Sequence, residues 1–276
     1  MNINNLFIEK IKKFIYNDPK LAKIFTHHNV KYNIEDLLNP LLLILNKGIA
    51  YRDVQQFTHI HWNTIYKFNV KLTKYNVLSN AFNKTVNIYL NHMKPSNSQY
   101  YTDTTFVCNK LGEDLVSNNP QIKKHKTSKI SIISDDFNIP ISISIDTGSK
   151  HDVSIIKEQL TDLHNKEPLL FNSTNVLIAD GAYDSNLLRE LTKKLKLKDV
   201  ITNKNIRNCK DKEKLKTLTL TLYEKMLLRK RICVEHVINR FKKFKRINIR
   251  FDRYSKHFSN FIYLGALLII FKCTKL

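Results

Sequence analysis

The chain has 276 residues, with 46 Lys and Arg against 24 Asp and Glu, a formal net charge of +22. That length allows one or two domains with a real core, and 42% hydrophobic with 25% charged residues excludes a disordered chain. Only 5 glycines and 6 prolines exclude collagen-like and linker-rich architectures. So basic a surface attracts polyanions, nucleic acid first and an acidic membrane surface second. The cysteines, Cys108, Cys209, Cys233 and Cys273, lie far apart with no CxxC. They read as buried free thiols in a reducing compartment, not as a zinc site or a disulfide framework. The N-terminus lacks the apolar stretch of a secretory signal. The run Phe261 to Phe271 is too short for a membrane span and reads as a core helix.

Residues 1–95 carry helical periodicity. Phe7, Ile8, Ile11, Phe14 and Ile15 mark a first helix. Leu37, Leu38, Leu41, Leu42 and Leu45 mark a second, starting near Asn33–Asp36 and ending before Gly48. A third begins near Trp62 and a fourth spans about Leu78 to Leu90. Trp62 and Tyr66 read as core residues. A helix-turn-helix is one of the arrangements such a basic helical domain takes.

The pattern changes at KPSNSQ, residues 94–99. YTDTTFV (101–107), KISIIS (129–134) and IPISISID (139–146) are strand-like, with DDFN (135–138) as a hairpin turn. Asp152 to Leu163 reads as a helix, NVLIAD (175–180) as a covered strand, Ser185 to Leu195 as a helix, and DVIT (199–202) as a short strand. One long helix is expected from Tyr223 to Phe244, and another from His257 to Phe271. The order of elements predicts an α/β fold, a mixed sheet with helices on both faces, preceded by a small all-helical domain.

Three acids stand out in this basic chain. Asp103 sits within a strand, and Asp180 ends an apolar strand before Gly181. Glu235 is the only acid between Glu224 and Asp252. A lone carboxylate is costly in such places unless it is paired, hydrogen-bonded or bound to metal. Two readings stand on the residues alone. Asp103 begins a turn, Asp180 caps a helix and Glu235 neutralises its basic neighbours. Alternatively, the three together hold two hard divalent cations, which suits phosphoryl transfer.

The chain resembles the DDE transposases of bacterial insertion elements. The N-terminal block is LLLILNKGIAYRDVQQF (41–57), with Tyr51 where the family usually has Trp, followed by WNTIYKFNVKLTKYNVLSNAF (62–82). Asp103-Thr104-Thr105 matches the first acidic motif and ADGAYDS (179–185) the second. HKTSKISIISDDFNIPISISIDTGSKHDV (125–153), with Gly148 to Asp152, matches the block between them. Arg231, Glu235 and Lys242 match the Arg-x-x-x-Glu-x-x-x-x-x-x-Lys pattern, and Leu228 replaces the Tyr that precedes it in the family.

The resemblance implies an RNase H-like catalytic domain at 99–276 and a DNA-end recognition domain at 1–95. It implies that Asp103, Asp180 and Glu235 bind Mg²⁺ or Mn²⁺, two ions, for strand cleavage at element ends and strand transfer into target DNA. Arg231, Lys242, Lys245 and Arg246 would bind DNA phosphates. The partners would be double-stranded DNA and a second copy on that DNA, with no membrane. The setting would be the bacterial cytoplasm and nucleoid, or nuclear or viral-factory DNA in a eukaryote or large virus. Two other readings share the residues: a domesticated nuclease without strand transfer, and an inactive DNA-binding descendant. Two further basic runs, Lys204, Arg207, Lys210, Lys212, Lys214, Lys216 and Lys123, Lys124, Lys126, Lys129, fit phosphate binding. His125, His151 and His236 read as structural.

Overall fold

The computed structural model describes residues 3–27, 31–93, 98–119, 125–203 and 219–274. Two compact units emerge: Met1–His92, Val107–Leu115 and Arg240–Leu276 form one, Met93–Phe106 and Val116–Asn239 the other. The helical unit is therefore not confined to residues 1–95. It takes in the C-terminal segment as well.

The helical unit begins with α1 (Ile3–Tyr16), whose Phe7, Ile8, Ile11 and Ile15 are buried on one face. A short helix that the periodicity does not reveal follows, α2 (Pro19–Phe25). Asp18 caps it, accepting from the amides of Lys20 and Leu21, and Pro19 supplies a ready-made first turn. Helix α3 (Ile34–Lys47) opens with a capping box between Asn33 and Asp36 and stops at Gly48, whose φ of 68° is left-handed. A Cβ at Gly48 would also lie 2.8 Å from Lys245 Cβ, so glycine is required twice over. Then come α4 (Tyr51–Val54), α5 (Trp62–Lys74) and α6 (Val77–Met93). Trp62 is half-buried under the Arg52 guanidinium, 5.4 Å from its ring centre. Tyr66, expected in the core, is 38% exposed and stacks on His257.

The second unit is a mixed sheet with helices. Its strands are β1 (Gln99–Asn109, of which the last residues, from Val107, belong to the helical unit), β2 (Ser117–Asn118), β3 (Lys126–Ser134), β4 (Pro140–Thr147), β5 (Val176–Ala179) and β6 (Lys198–Ile201). The order is β2-β3-β1-β5-β6, with β4 also paired to β3. β1, β5 and β6 run parallel, whereas β4 and β2 run antiparallel to β3. The β3–β4 turn is set by Asp135, whose Oδ1 accepts from the amides of Phe137 and Ile139, and by Asn138 at φ 60°. Helices α7 (Asp152–Lys166) and α8 (Asn186–Lys194) fall where the sequence places them.

The expected long helix at 223–244 is broken. It forms α9 (Leu222–Arg229) and α10 (Ile232–Lys243), with Lys230 and Arg231 in a turn between. Neither Gly nor Pro marks the break. The chain then returns to the helical unit through α11 (Lys245–Asn248), β7 (Ile249–Arg250) and α12 (Ser255–Cys273). β7 pairs with the end of β1 at Cys108 and Asn109. Helix α12 is apolar around its circumference and packs on α1 and α5. Among the described residues, no helix is long and apolar enough to cross a membrane. Cys108 and Cys273 are exposed and Cys233 half-buried, so these thiols are not the buried ones expected; Cys209 lies outside the described residues.

Candidate active site

Asp103 and Asp180 meet because of strand register. β1 and β5 are parallel, with Tyr101 opposite Ile178. Continuing that register by two residues sets Asp103 beside Asp180. Each aspartate is anchored by one oxygen and leaves the other for the site. Asp103 Oδ1 accepts from the Thr104 amide at 2.8 Å, and Asp180 Oδ1 accepts from the Ala182 amide at 2.8 Å, capping a single 3₁₀ turn. The helix-cap reading of Asp180 therefore holds alongside any other role.

The remaining oxygens face one guanidinium. Arg231 Nη1 lies 3.4 Å from Asp103 Oδ2 and 3.4 Å from Asp180 Oδ2. Arg231 Nη2 lies 3.6 Å from Glu235 Oε1 in the first turn of α10. Three carboxylates, distant in sequence, thus converge on a single fixed positive charge. The turn between α9 and α10 is what carries Arg231 there. Exposure rises outward, from 22% for Asp103 to 41% for Asp180 and 51% for Glu235. Burial pushes the Asp103 carboxyl up from its ordinary value, the Arg231 charge and the Thr104 amide pull it partly back, and Asp180 and Glu235 push it up further.

Among the described residues, no three His, Cys, Asp or Glu side chains are spaced to share a metal ion as they stand. The donor chemistry nevertheless fits a hard divalent cation: three carboxylates, two of them pre-oriented by backbone amides, already gathered around positive charge.

The expected phosphate ligands separate. Lys242 and Lys245 are exposed. Arg246 is not available: it is 5% exposed, and its Nε and Nη2 bond Asp252 at 3.0 and 2.9 Å. Its guanidinium also stacks near Tyr51 and Phe261. Arg246 is a structural ion pair, and its assignment to phosphate is corrected. Lys129 is corrected likewise. It is buried in β3, with Nζ 2.8 Å from Asp152 Oδ1. Lys126 is exposed. Lys123, Lys124, Lys204, Arg207, Lys210, Lys212, Lys214 and Lys216 lie outside the described residues. His125, His151 and His236 are all exposed rather than built into the core.

Sequence reasoning missed what stands behind Asp103. The Thr104 hydroxyl donates to Asp152 Oδ1 at 3.1 Å, the same oxygen that Lys129 holds. The signal was present: a lysine in the middle of an otherwise apolar and hydroxylated strand.

A family model described as "Transposase DDE domain" matches residues 103–271, more than half of the chain. No curated protein matches it. Among solved structures, a pre-cleavage Mos1 transpososome is 9% identical, covers 99% of this chain and 97% of that one, and gives a TM-score of 0.30. A Mos1 mariner paired-end complex with Mn is 11% identical over 91% of this chain and 99% of that one, at a TM-score of 0.27. Scores this low do not establish a common fold.

Proposed function

Because this chain belongs to the transposase DDE domain family, we propose that it is a transposase that cleaves element-end DNA and joins the freed 3′-hydroxyl to target DNA. The observation that carries this reading is the convergence of Asp103, Asp180 and Glu235 on one point. The placing of Asp103, within β1, and Asp180, just past the end of its parallel neighbour β5, around one guanidinium supports an RNase H-like catalytic domain.

On this reading Asp103, Asp180 and Glu235 would hold Mg²⁺ or Mn²⁺, two ions. When bound, such a pair activates an attacking hydroxyl and neutralises the leaving oxygen. The chain's own groups do the rest. The Thr104 and Ala182 amides fix the two aspartates before any substrate arrives. Arg231 balances the acids and then turns to a DNA phosphate. Lys242, seven residues past Glu235 on α10, grips a second phosphate. Lys245 adds a third cation. The helical elements of residues 1–95 read the element end, and two copies act together on the DNA.

Cleavage of gene DNA with its flanks in Mg²⁺, followed by strand mapping, tests the reading. Nicks at discrete ends, lost in Asp103→Asn and Glu235→Gln proteins that still bind DNA, are expected. One observation favours a second reading, an inactive DNA-binding descendant: the Arg231 guanidinium already faces all three acids. DNA binding without any Mn²⁺ uptake would select it.

A further inference from the structure

β3 is strand-forming throughout, and its residues beyond Lys126 are buried. A lysine there demands an explanation. Lys129 meets the demand with three contacts: Asp152 Oδ1 at 2.8 Å, the Lys150 carbonyl at 2.8 Å, and the Phe106 ring, with Nζ 5.0 Å from its centre. Its side chain is 6% exposed and that of Asp152 24%. A buried ion pair adds little stability over a well-packed apolar pair, because both charges lose their hydration. Packing β3 against α7 needed no charge.

The pair has a third member. Asp152 Oδ1 also accepts from the Thr104 hydroxyl at 3.1 Å, and the Thr104 amide holds Asp103 Oδ1 at 2.8 Å. Thr104 is therefore tied at both ends, by its hydroxyl to the ion pair and by its amide to the first acid. With Oδ1 held, Asp103 directs Oδ2 to the point where the three acids converge.

We propose that Lys129, Asp152 and Thr104 are positioning residues for Asp103, a rigid relay that fixes the orientation of its carboxylate toward a divalent cation. The proposal rests on the functional reading above. It assigns Lys129 and Asp152 a task other than stability, and it makes the Thr104 hydroxyl the link. Outer partners of this kind change metal affinity by about 10- to 100-fold when removed.

The test is Mn²⁺ titration of the full chain beside thermal melting. Thr104→Val removes the hydroxyl and keeps the shape; Thr104→Ser restores the hydroxyl. Lys129→Met with Asp152→Leu replaces the ion pair by apolar side chains. The relay predicts Mn²⁺ affinity weakened about tenfold in Thr104→Val and in the double variant, with an unchanged melting temperature, and recovery in Thr104→Ser. Wild-type affinity in a folded Thr104→Val protein overturns it, as does equal weakening in Thr104→Ser. If the double variant fails to fold, the two Thr104 variants decide alone. Asp103→Asn separates the two layers of argument. If it leaves Mn²⁺ binding at the wild-type level, or if wild type takes up no Mn²⁺, the metal reading itself fails and the relay falls with it.

Discussion

Arg231 is the residue on which the candidate site turns. Its guanidinium faces the same carboxylate charge that a divalent cation would need on the proposed function. Arg231→Gln should therefore tighten Mn²⁺ binding in the absence of DNA. The half-exposed setting of Asp180 and Glu235 screens the effect to about 1 kcal/mol, roughly fivefold. Calorimetric titration checks it, and weaker binding would mean that the arginine supports the metal site instead of opposing it. Two other cations on neighbouring elements should part company. Lys242 is exposed, so Lys242→Ala should leave melting unchanged, and the phosphate contact proposed for it would make the same change lower the slope of log affinity for DNA against log salt by about 1. Arg246→Ala should do the reverse. It strands Asp252, 6% exposed, without its partner, and should cost about 3–5 kcal/mol in stability. Binding isotherms at several salt concentrations, beside denaturant melts, distinguish the two. Equal behaviour of the two variants would contradict the burial that separates them.

At the scale of elements, close approach governs α12. Gly265 has no side chain because a Cβ there would meet Ile247 Cδ1 at 2.8 Å and the Phe244 ring at 3.1 Å. Gly265→Ala should destabilise the protein by about 1–3 kcal/mol despite the better helix propensity of alanine, and a denaturant melt reads this directly. A gain in stability would show that α11 yields. The first turn of α12 also carries a titrating group. Burial lowers the pKa of His257, while Asp252 and Asp114 oppose the shift, and its Nδ1 is buried without a hydrogen-bond partner. The unfolded chain then takes up a proton more readily than the folded one. Stability from this group is present above the ordinary value of 6.5 and declines as pH falls through it. His257→Gln should flatten the fall in melting temperature between about pH 7 and 5. The elements were legible where periodicity is local: the β3–β4 hairpin, α3 with its Gly48 stop, the strand that contains Asp103 and the strand that ends just before Asp180. Helix α2 is too short for its pattern to emerge, and the turn at Lys230–Arg231 carries no breaker residue. The three acids could be singled out as anomalies of charge and burial. Their convergence on Arg231 could not, because it depends on where a turn aims one side chain.

At the scale of the molecule, the change of pattern at residues 94–99 suggests that residues 1–95 can be removed to leave a catalytic remainder. The packing argues otherwise. Helix α12, near the other end of the chain, lies in the same compact unit as the N-terminal helices. Its Phe258, Phe261, Ile262, Leu264, Leu267, Leu268 and Ile270 are all buried. Their cover includes N-terminal helices: the ring of Phe271 is 6.0 Å from that of Phe7, Tyr263 is 5.5 Å from Phe82, and Phe261 is 6.5 Å from Tyr51. Buried polar groups cross the same seam, where Asn260 Nδ2 donates to Asn69 Oδ1 at 2.5 Å and Asn69 Nδ2 to the Tyr51 hydroxyl at 2.9 Å. Sequence gives no hint of this partnership, because an apolar helix does not name what it packs against. Returning one such large side chain to water costs about 1.5–3 kcal/mol, and exposing several would match or exceed a typical net stability of about 5–15 kcal/mol. A chain of residues 96–276 should therefore be insoluble, or soluble with exposed apolar surface, strong dye binding and no cooperative melt. Size-exclusion chromatography and circular dichroism of that fragment decide the matter. A monomeric fragment with a sharp thermal transition would show that the remainder buries α12 by itself. If the fragment fails as expected, end recognition by the N-terminal helices has to be tested in the intact chain, by exchanging exposed residues such as Lys13, Lys67 and Lys74 and asking whether preference for end DNA over random DNA falls while overall salt-sensitive affinity persists.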